Sequence, residues 1–300
     1  MKRIKIVVTT IQSRLNFITN RLNLRGAIKG FSEMDNHVNS KKEMNYNVKD
    51  VLSVFLFIAT FLIIWQIVFS LEIWPPVSLP SPAMVAQSFV DLVSENILIN
   101  GLAVTLWRLF IGFVISVLIG GCVGLVMVRF KQFGKTMSSF ALGLQSFPSI
   151  AWVPFAILLI GFNDFAILFV VVMNSVFSVM NSTYGGIRNI PPIYLHAARN
   201  MGASGILLFR YVMIPASAPS LIMGLRQTWS FAWHALIGAE MLITTGLGLG
   251  YILAIGREFS NMSQIIATMI VIFGVGLLFD RFVFSKVEEK VREKWGLSTS

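Results

Sequence analysis

Long apolar runs separated by short polar intervals set the pattern of this chain. Residues 51–70 hold no charge, with Asp50 before them and Glu72 just after. A run of about 20 apolar residues is what a helix needs to cross a hydrocarbon layer, at ~1.5 Å of rise per residue. Five more runs follow, at residues 104–128, 138–160, 165–183, 217–243 and 265–284. The pattern predicts an all-α integral membrane protein with six transmembrane helices. Within the runs, Gly120 and Gly124 stand four apart, a spacing that lets two helices approach closely. Asn174, Ser175, Ser178 and Asn181 of the fourth must face other helices or water. Pro148 and Pro154 lie in the third, tolerable only where neighbours satisfy the freed carbonyls.

The intervals differ from one another. Residues 71–100 carry Glu72, Asp91 and Glu95 and no Lys or Arg. Ser81 is placed to cap a helix whose first residue is Pro82, and Met84, Val85, Phe89, Leu92, Val93 and Ile97 give it one apolar face. The expectation is an amphipathic helix along the outer surface. Gly246, Gly248 and Gly250 predict a flexible outer segment that includes Arg257 and Glu258. Residues 190–215 read as two short helices outside the membrane core. Pro191 and Pro192 suit a first helical turn, Gly202 suits a left-handed close, Ser204 can cap a second helix, and Pro215 predicts its end.

Charge then orients the spans. All of the 24 Lys and Arg residues except Arg108, Arg226 and Arg257 fall in the leader, in alternate intervals, or at the chain's end with Arg281. Positive residues gather on the cytoplasmic side, so both termini are expected there. The chain divides into a basic cytoplasmic leader (1–50), a six-span domain (51–284) with its outer segment (71–100) and inner loop (188–215), and a cytoplasmic tail (285–300). Residues 11–27 of the leader are basic and weakly amphipathic, fit either for an anionic lipid surface or for solvent. A hydrophobic share of 55%, a charged share of 13% and a mean hydropathy of +0.75 exclude a soluble globular domain. The net charge of +10 follows the membrane sides, so it indicates lipid rather than nucleic acid. The one cysteine, Cys122, permits no intrachain disulfide, and no His spacing suits a metal. Gly134-Lys135-Thr136 imitates the end of a phosphate-binding loop, but Arg129 stands where that loop needs glycine.

Two constellations bear on function. The first is Ala197-Ala198, three residues, Gly202, nine residues, then residues 212–215 ending in Ile214-Pro215. This spacing resembles the Glu-Ala-Ala loop of ATP-binding-cassette importer permeases. His196 departs from the pattern, standing where that family usually has Glu, which puts that acid's ion pair in doubt. Further stretches are similar to the family: Leu79-Pro80-Ser81-Pro82, Thr105-Leu106-Trp107-Arg108, residues 147–154, Ala239-Glu240-Met241, the glycine-alternating residues 246–251, and Phe279-Asp280-Arg281. Residues 147–154 look like the signature of the subgroup for nitrate, taurine and aliphatic sulfonates.

The resemblance implies the type I importer permease fold in the cytoplasmic (inner) membrane. It implies a path for a small anionic solute and His196, Ala197, Ala198, Gly202, Ile214 and Pro215 as the coupling loop. It further implies cytoplasmic ATPase subunits as partners, a second permease copy forming a homodimer, and an extracytoplasmic solute-binding protein. ATP and Mg²⁺ would then sit on the ATPase, and this chain would bind no cofactor and catalyse nothing. The alternative reading is a secondary transporter or channel that needs no ATPase; a membrane enzyme is a third.

The second constellation is a stripe in the fifth span. At ~100° per residue, Arg226, Trp229, Ser230, Trp233, Ile237 and Glu240 fall near one line. A charge facing lipid is costly, so the stripe is a candidate solute path. Arg226 suits an oxyanion; equally, it can snorkel or pair with a carbonyl while both tryptophans pack between helices.

Overall fold

The computed structural model describes residues 48–294. The chain divides into two compact units, residues 1–59 with 299–300, and residues 60–298. Of the first unit, only residues 48–59 are described, as the opening turns of helix α1 (Val48–Ser70). The expectations for residues 1–47, including the piece at 11–27, lie outside the described residues, as does the tail beyond residue 294.

Helices and the turns between them make up the described length of the second unit. After α1 come α2 (Pro82–Ser94), α3 (Ile97–Arg129), α4 (Lys131–Gln145), α5 (Trp152–Ile160) and α6 (Asp164–Arg188). Then follow α7 (Pro192–Asn200), α8 (Gly205–Leu208), α9 (Ile214–Leu242), α10 (Leu249–Glu258), α11 (Met262–Phe279) and α12 (Ser285–Lys294). Among the described residues, five stretches are long and apolar enough to cross a membrane: Leu52–Ser70, Ile97–Arg129, Asp164–Arg188, Gly205–Leu242 and Met262–Glu289. A sixth is counted if α4 and Ser149–Ile160 are taken as one span, although they meet at 91°.

The long helix α6 is the centre, flanked by α3 and α9. Its contact with α3 is set by glycine. A Cβ on Gly120 would lie 2.6 Å from the Val176 carbonyl oxygen, and one on Gly124 would lie 2.6 Å from Thr183 Cβ. The backbones therefore touch where a side chain would hold them apart. Against α9, two polar side chains of α6 find partners, while the Ser175 hydroxyl is buried without one. Ser178 and Thr228 hydroxyls bond at 3.0 Å, and Asn174 Nδ2 donates to the Phe231 carbonyl at 3.0 Å. Asn181 accepts from Ser138 of α4 at 2.8 Å. The polar residues of this span thus face helices, as their cost in lipid requires.

The starts of α2 and α6 carry side-chain caps, whereas Ser204, expected to cap the helix that follows it, stands at the cap position without a side-chain bond. Ser81 accepts from the Met84 N–H at 3.2 Å with Pro82 in the first turn. Asn163, in extended conformation, accepts from the Ala166 N–H at 3.1 Å and opens α6.

Three expectations are corrected. The third span is not continuous: Pro148 has no N–H to give, holds ψ at 127°, and ends the helical path between α4 and α5. Pro154 then costs nothing, because it occupies the third position of α5, where N–H groups have no intrahelical partner. The segment after Gly246 is not a flexible connection, because α10 buries Leu249, Ile252 and Ala254. Nor does the helix after Ser204 stop at Pro215. A π-turn at Phe209–Met213 shifts the hydrogen-bond register, so Pro215 falls in the opening turn of α9 and the helix runs on.

Candidate functional site

The stretch at residues 190–215 forms an arm built on one cap. Helix α7 starts with Pro192 and ends in a pair of hydrogen bonds around Gly202. The Ala203 N–H donates to the Ala198 carbonyl at 2.9 Å, and the Gly202 N–H donates to the Arg199 carbonyl at 2.9 Å. With Gly202 at φ +86°, this is the complete Schellman arrangement, which a residue with a Cβ enters only under strain. Ala198 is buried at the base of that cap, which a small side chain permits. His196 and Ala197 are exposed on the opposite face. The arm carries an outward apolar surface of Ile193, Tyr194, Met201, Ile206, Leu207 and Tyr211. The fold brings Ala198 and Gly202 into one turn. It does not bring Ile214 and Pro215 there: they lie past the π-turn, within the long helix.

The stripe on α9 divides into a middle and two ends. Trp229, Ser230, Trp233 and Ile237 line a cavity of about 540 Å³ that is completed by His234, by Leu253 of α10, and by Ile272, Phe273 and Gly276 of α11. Trp229 stacks on Phe279 at 4.8 Å between centroids and receives the edge of Phe113 at 5.2 Å. Ring stacking of this kind fixes the indole's orientation. Ser230 and His234 each bond to the carbonyl four residues back.

At one end, Arg226 meets two acids. Its Nε and Nη2 donate to both oxygens of Asp280, each at 2.6 Å, and Nη1 donates to Glu288 at 3.0 Å. The bidentate fork is the arrangement a planar guanidinium prefers. Asp280 opens a second π-turn, Asp280–Phe284, which leads into the helix that carries Glu288.

At the other end, Glu240 is buried among three donors to its carboxylate and their partners, with Arg108 Nε left unpartnered. It accepts from Thr105 Oγ1 at 2.9 Å, from Arg108 Nη1 at 2.9 Å and from the Gly250 N–H at 3.0 Å. Arg108 continues to Asp164 at 2.6 Å and to the Leu247 carbonyl at 3.3 Å. Thr105 in turn accepts from the Leu249 N–H at 2.8 Å. The alternating glycines have their reason here. A Cβ on Gly248 would lie 2.7 Å from the Glu240 carboxyl carbon, and one on Gly250 would lie 2.5 Å from Glu240 Cβ. The backbone must lie against this carboxylate to donate to it.

Six participants were not singled out as site residues by the sequence reading: Thr105, Arg108, Asp164, His234, Asp280 and Glu288. A charge inside an apolar run, as at Arg108, was the available signal. Its partners lie 56 and 132 residues away, beyond any local pattern. Among the described residues no group of three His, Cys, Asp or Glu side chains converges as a metal site would require.

Comparison with known proteins adds to this geometry. The model of the family described as binding-protein-dependent transport system inner membrane component matches residues 112–292. The putative aliphatic sulfonates transport permease protein SsuC of Escherichia coli is 31% identical over 232 residues, covering 77% of this chain and 87% of the relative. The nitrate import permease protein NrtB of Synechocystis is 28% identical, covering 75% of this chain and 84% of the relative. Among solved structures, an inward-facing MetNI methionine ABC transporter superposes with a TM-score of 0.56 at 19% identity, over 66% of this chain and 97% of that one. At that identity the likeness is one of fold.

Proposed function

The chain belongs to the family of binding-protein-dependent transport system inner membrane components, and from that premise we propose that it passes a small anionic solute of the nitrate, sulfonate or taurine kind, driven by a separate ATPase. It is the permease subunit of an ATP-binding-cassette importer and a multi-pass protein of the inner membrane. In this reading both termini and the arm at residues 190–215 face the cytoplasm, where cytoplasmic ATPase subunits carry ATP and Mg²⁺. Two copies pair around the path, and an extracytoplasmic binding protein delivers the solute. The support for the solute class is the naming of relatives for aliphatic sulfonates and nitrate.

The observation that carries the coupling role is the arm itself. A capped turn at Gly202 presents Met201 and Ile206 to the outside, at the end of a helix continuous with a membrane span. Movement of a docked partner therefore acts on α9 directly. The solute path follows the stripe, with Trp229, Ser230 and Trp233 in its middle and Arg226 and Glu240 framing its ends. Since both guanidinium groups are already engaged by carboxylates and the Ser230 hydroxyl by a backbone carbonyl, the anion meets neutral donors, the indole N–H groups. Weak donors suit conduction, which needs a solute to leave as readily as it enters.

The test is Gly202→Val. A β-branched residue at φ +86° is strained whatever space surrounds it. The variant is expected to insert at the wild-type level yet to lose ATPase association and solute-stimulated hydrolysis. Wild-type association with normal coupled transport would refute the coupling role of the arm.

A further inference from the structure

The cavity along α9 holds one group that the path described above leaves unused, the His234 ring. Its Nδ1 lies 2.6 Å from the Ser230 carbonyl oxygen, which can only accept, so Nδ1 carries the proton. In the neutral ring Nε2 is then a bare acceptor, and it makes no bond of its own among the described residues. His234 is exposed on α9, as is Ser230 one turn before it. An imidazole turned to hydrocarbon is costly, so this face of α9 is turned to a water-filled path rather than to lipid. The other polar groups of the cavity are occupied or are donors. The Ser230 hydroxyl donates to the Arg226 carbonyl at 3.4 Å, and both carboxylate oxygens of Asp280 accept from Arg226. No ion pair among the described residues includes His234, and the cavity offers no free carboxylate to an imidazolium. What remains is a chamber with two indole N–H donors, on Trp229 and Trp233, and one acceptor.

Resting on the solute path proposed above, we infer that His234 is a specificity-determining residue whose Nε2 accepts a hydrogen bond from an amino or ammonium group of the solute. The oxyanion end meets the indole N–H groups, and the nitrogen end meets the imidazole. A bare oxyanion has only acceptors to offer, and set against Nε2 it brings two lone pairs together. An aminosulfonate satisfies the donors and the acceptor at once, and indole faces favour its ammonium further. A site built to accept rejects a solute that lacks the donor, because its own polar group is then left unpaired. The chamber therefore favours zwitterionic aminosulfonates over nitrate and over plain alkanesulfonates.

The experiment reads the cavity itself, without a binding protein. The full-length chain, carrying Cys122→Ser and Ser230→Cys, is placed in nanodiscs, and alkylation of the introduced thiol by N-ethylmaleimide is timed. Taurine is compared with nitrate and with propanesulfonate, which has a methyl where taurine has its ammonium. Taurine is expected to slow alkylation at about a tenth of the concentration that either of the others requires. His234→Asn keeps an amide N–H at the place of Nδ1 and removes the acceptor. It is expected to bring taurine and propanesulfonate within about threefold of each other. His234→Gln, whose side-chain oxygen reaches the place of Nε2, is expected to restore most of the difference. Equal protection by taurine and propanesulfonate with His234 in place, or stronger protection by nitrate, would overturn the inference while leaving an anion path intact. So would a His234→Asn variant that keeps the full preference for taurine. The same holds for one in which both sulfonates weaken together, the behaviour of an imidazolium that donates to any oxyanion. A thiol that is not alkylated at all would mean that this face is sealed from water, which also overturns it. If none of the three solutes slows alkylation, the solute path along α9 itself fails, and the inference with it.

Discussion

Two arginines within the spans each grip a pair of carboxylates, and the surroundings of the two grips are opposite. Around Arg108 the side-chain exposure is 7%, with Glu240 at 1% inside the bundle and Asp164 at 59% on its rim, and hydroxyl and backbone donors complete the shell of the buried carboxylate. Around Arg226 the exposure is 37%, with Asp280 at 44% and Glu288 at 20%. A buried pair with its remaining lone pairs satisfied is a fixture, because removing either partner strands a charge in a low-dielectric interior. A half-exposed pair that reaches water has other partners ready and contributes little to stability. The lesson concerns the stripe on α9. Arg226 and Glu240 share one face of the helix by spacing, yet one belongs to a rigid joint between α3, α6, α9 and α10, and the other to a joint able to rearrange. The half-exposed joint stands nearer in sequence to the arm at residues 190–215, at the end of α9 that begins at Ile214.

The comparison breaks most visibly at Arg108. Arg108→Met leaves the Glu240 carboxylate buried without its cation, and the expected loss is about 3–5 kcal/mol. It should appear as a much lower thermal midpoint in detergent and a low yield of folded protein. Adding Glu240→Gln to that variant should recover much of the loss, and failure to recover would mean that Arg108 acts by packing alone. A smaller effect is expected from Gly248→Ala. The new methyl would displace the carboxylate from its backbone donor, at a cost of about 1–3 kcal/mol in the same measurement. Least is expected from Arg226→Gln, at about 1 kcal/mol or below, given the exposure of the pair. A thermal midpoint as depressed as that of Arg108→Met would erase the contrast between the two joints.

Much of this architecture was legible along the chain. The apolar runs located the spans, Ser81 and Pro82 located the start of α2, and the Ala197 to Gly202 spacing located a cap that the hydrogen bonds complete. These are local signals, each carried by residues a turn or two apart. What was not legible depends on register or on distance in sequence. Pro148 was visible, but whether a proline kinks a helix or ends it does not show in the neighbouring residues; here its extended ψ of 127° ends it, and the Trp152 ring beyond the break meets Phe147 at 5.5 Å and Phe169 at 6.5 Å. Pro215 was read as a stop because a π-turn has no sequence signature; one inserted residue of register converts a stop into a first turn. The glycines at positions 246, 248 and 250 suggested flexibility, whereas two of them serve close approach to a single carboxylate. The pairing of Glu240 with Arg108 across 132 residues leaves no mark on either neighbourhood.

Solute uptake into vesicles tests the central claim most directly, that ATP hydrolysis by a separate subunit drives a solute through this chain. The purified chain is reconstituted with its ATPase and binding protein, and uptake of labelled nitrate and of an aliphatic sulfonate is followed with ATP inside the ATPase compartment or with an ion gradient alone. The account predicts uptake of one of these anions only when ATP, the ATPase and the binding protein are all present, with no change when the ion gradient is collapsed. Uptake by the chain alone, driven by the gradient and indifferent to ATP, would contradict it.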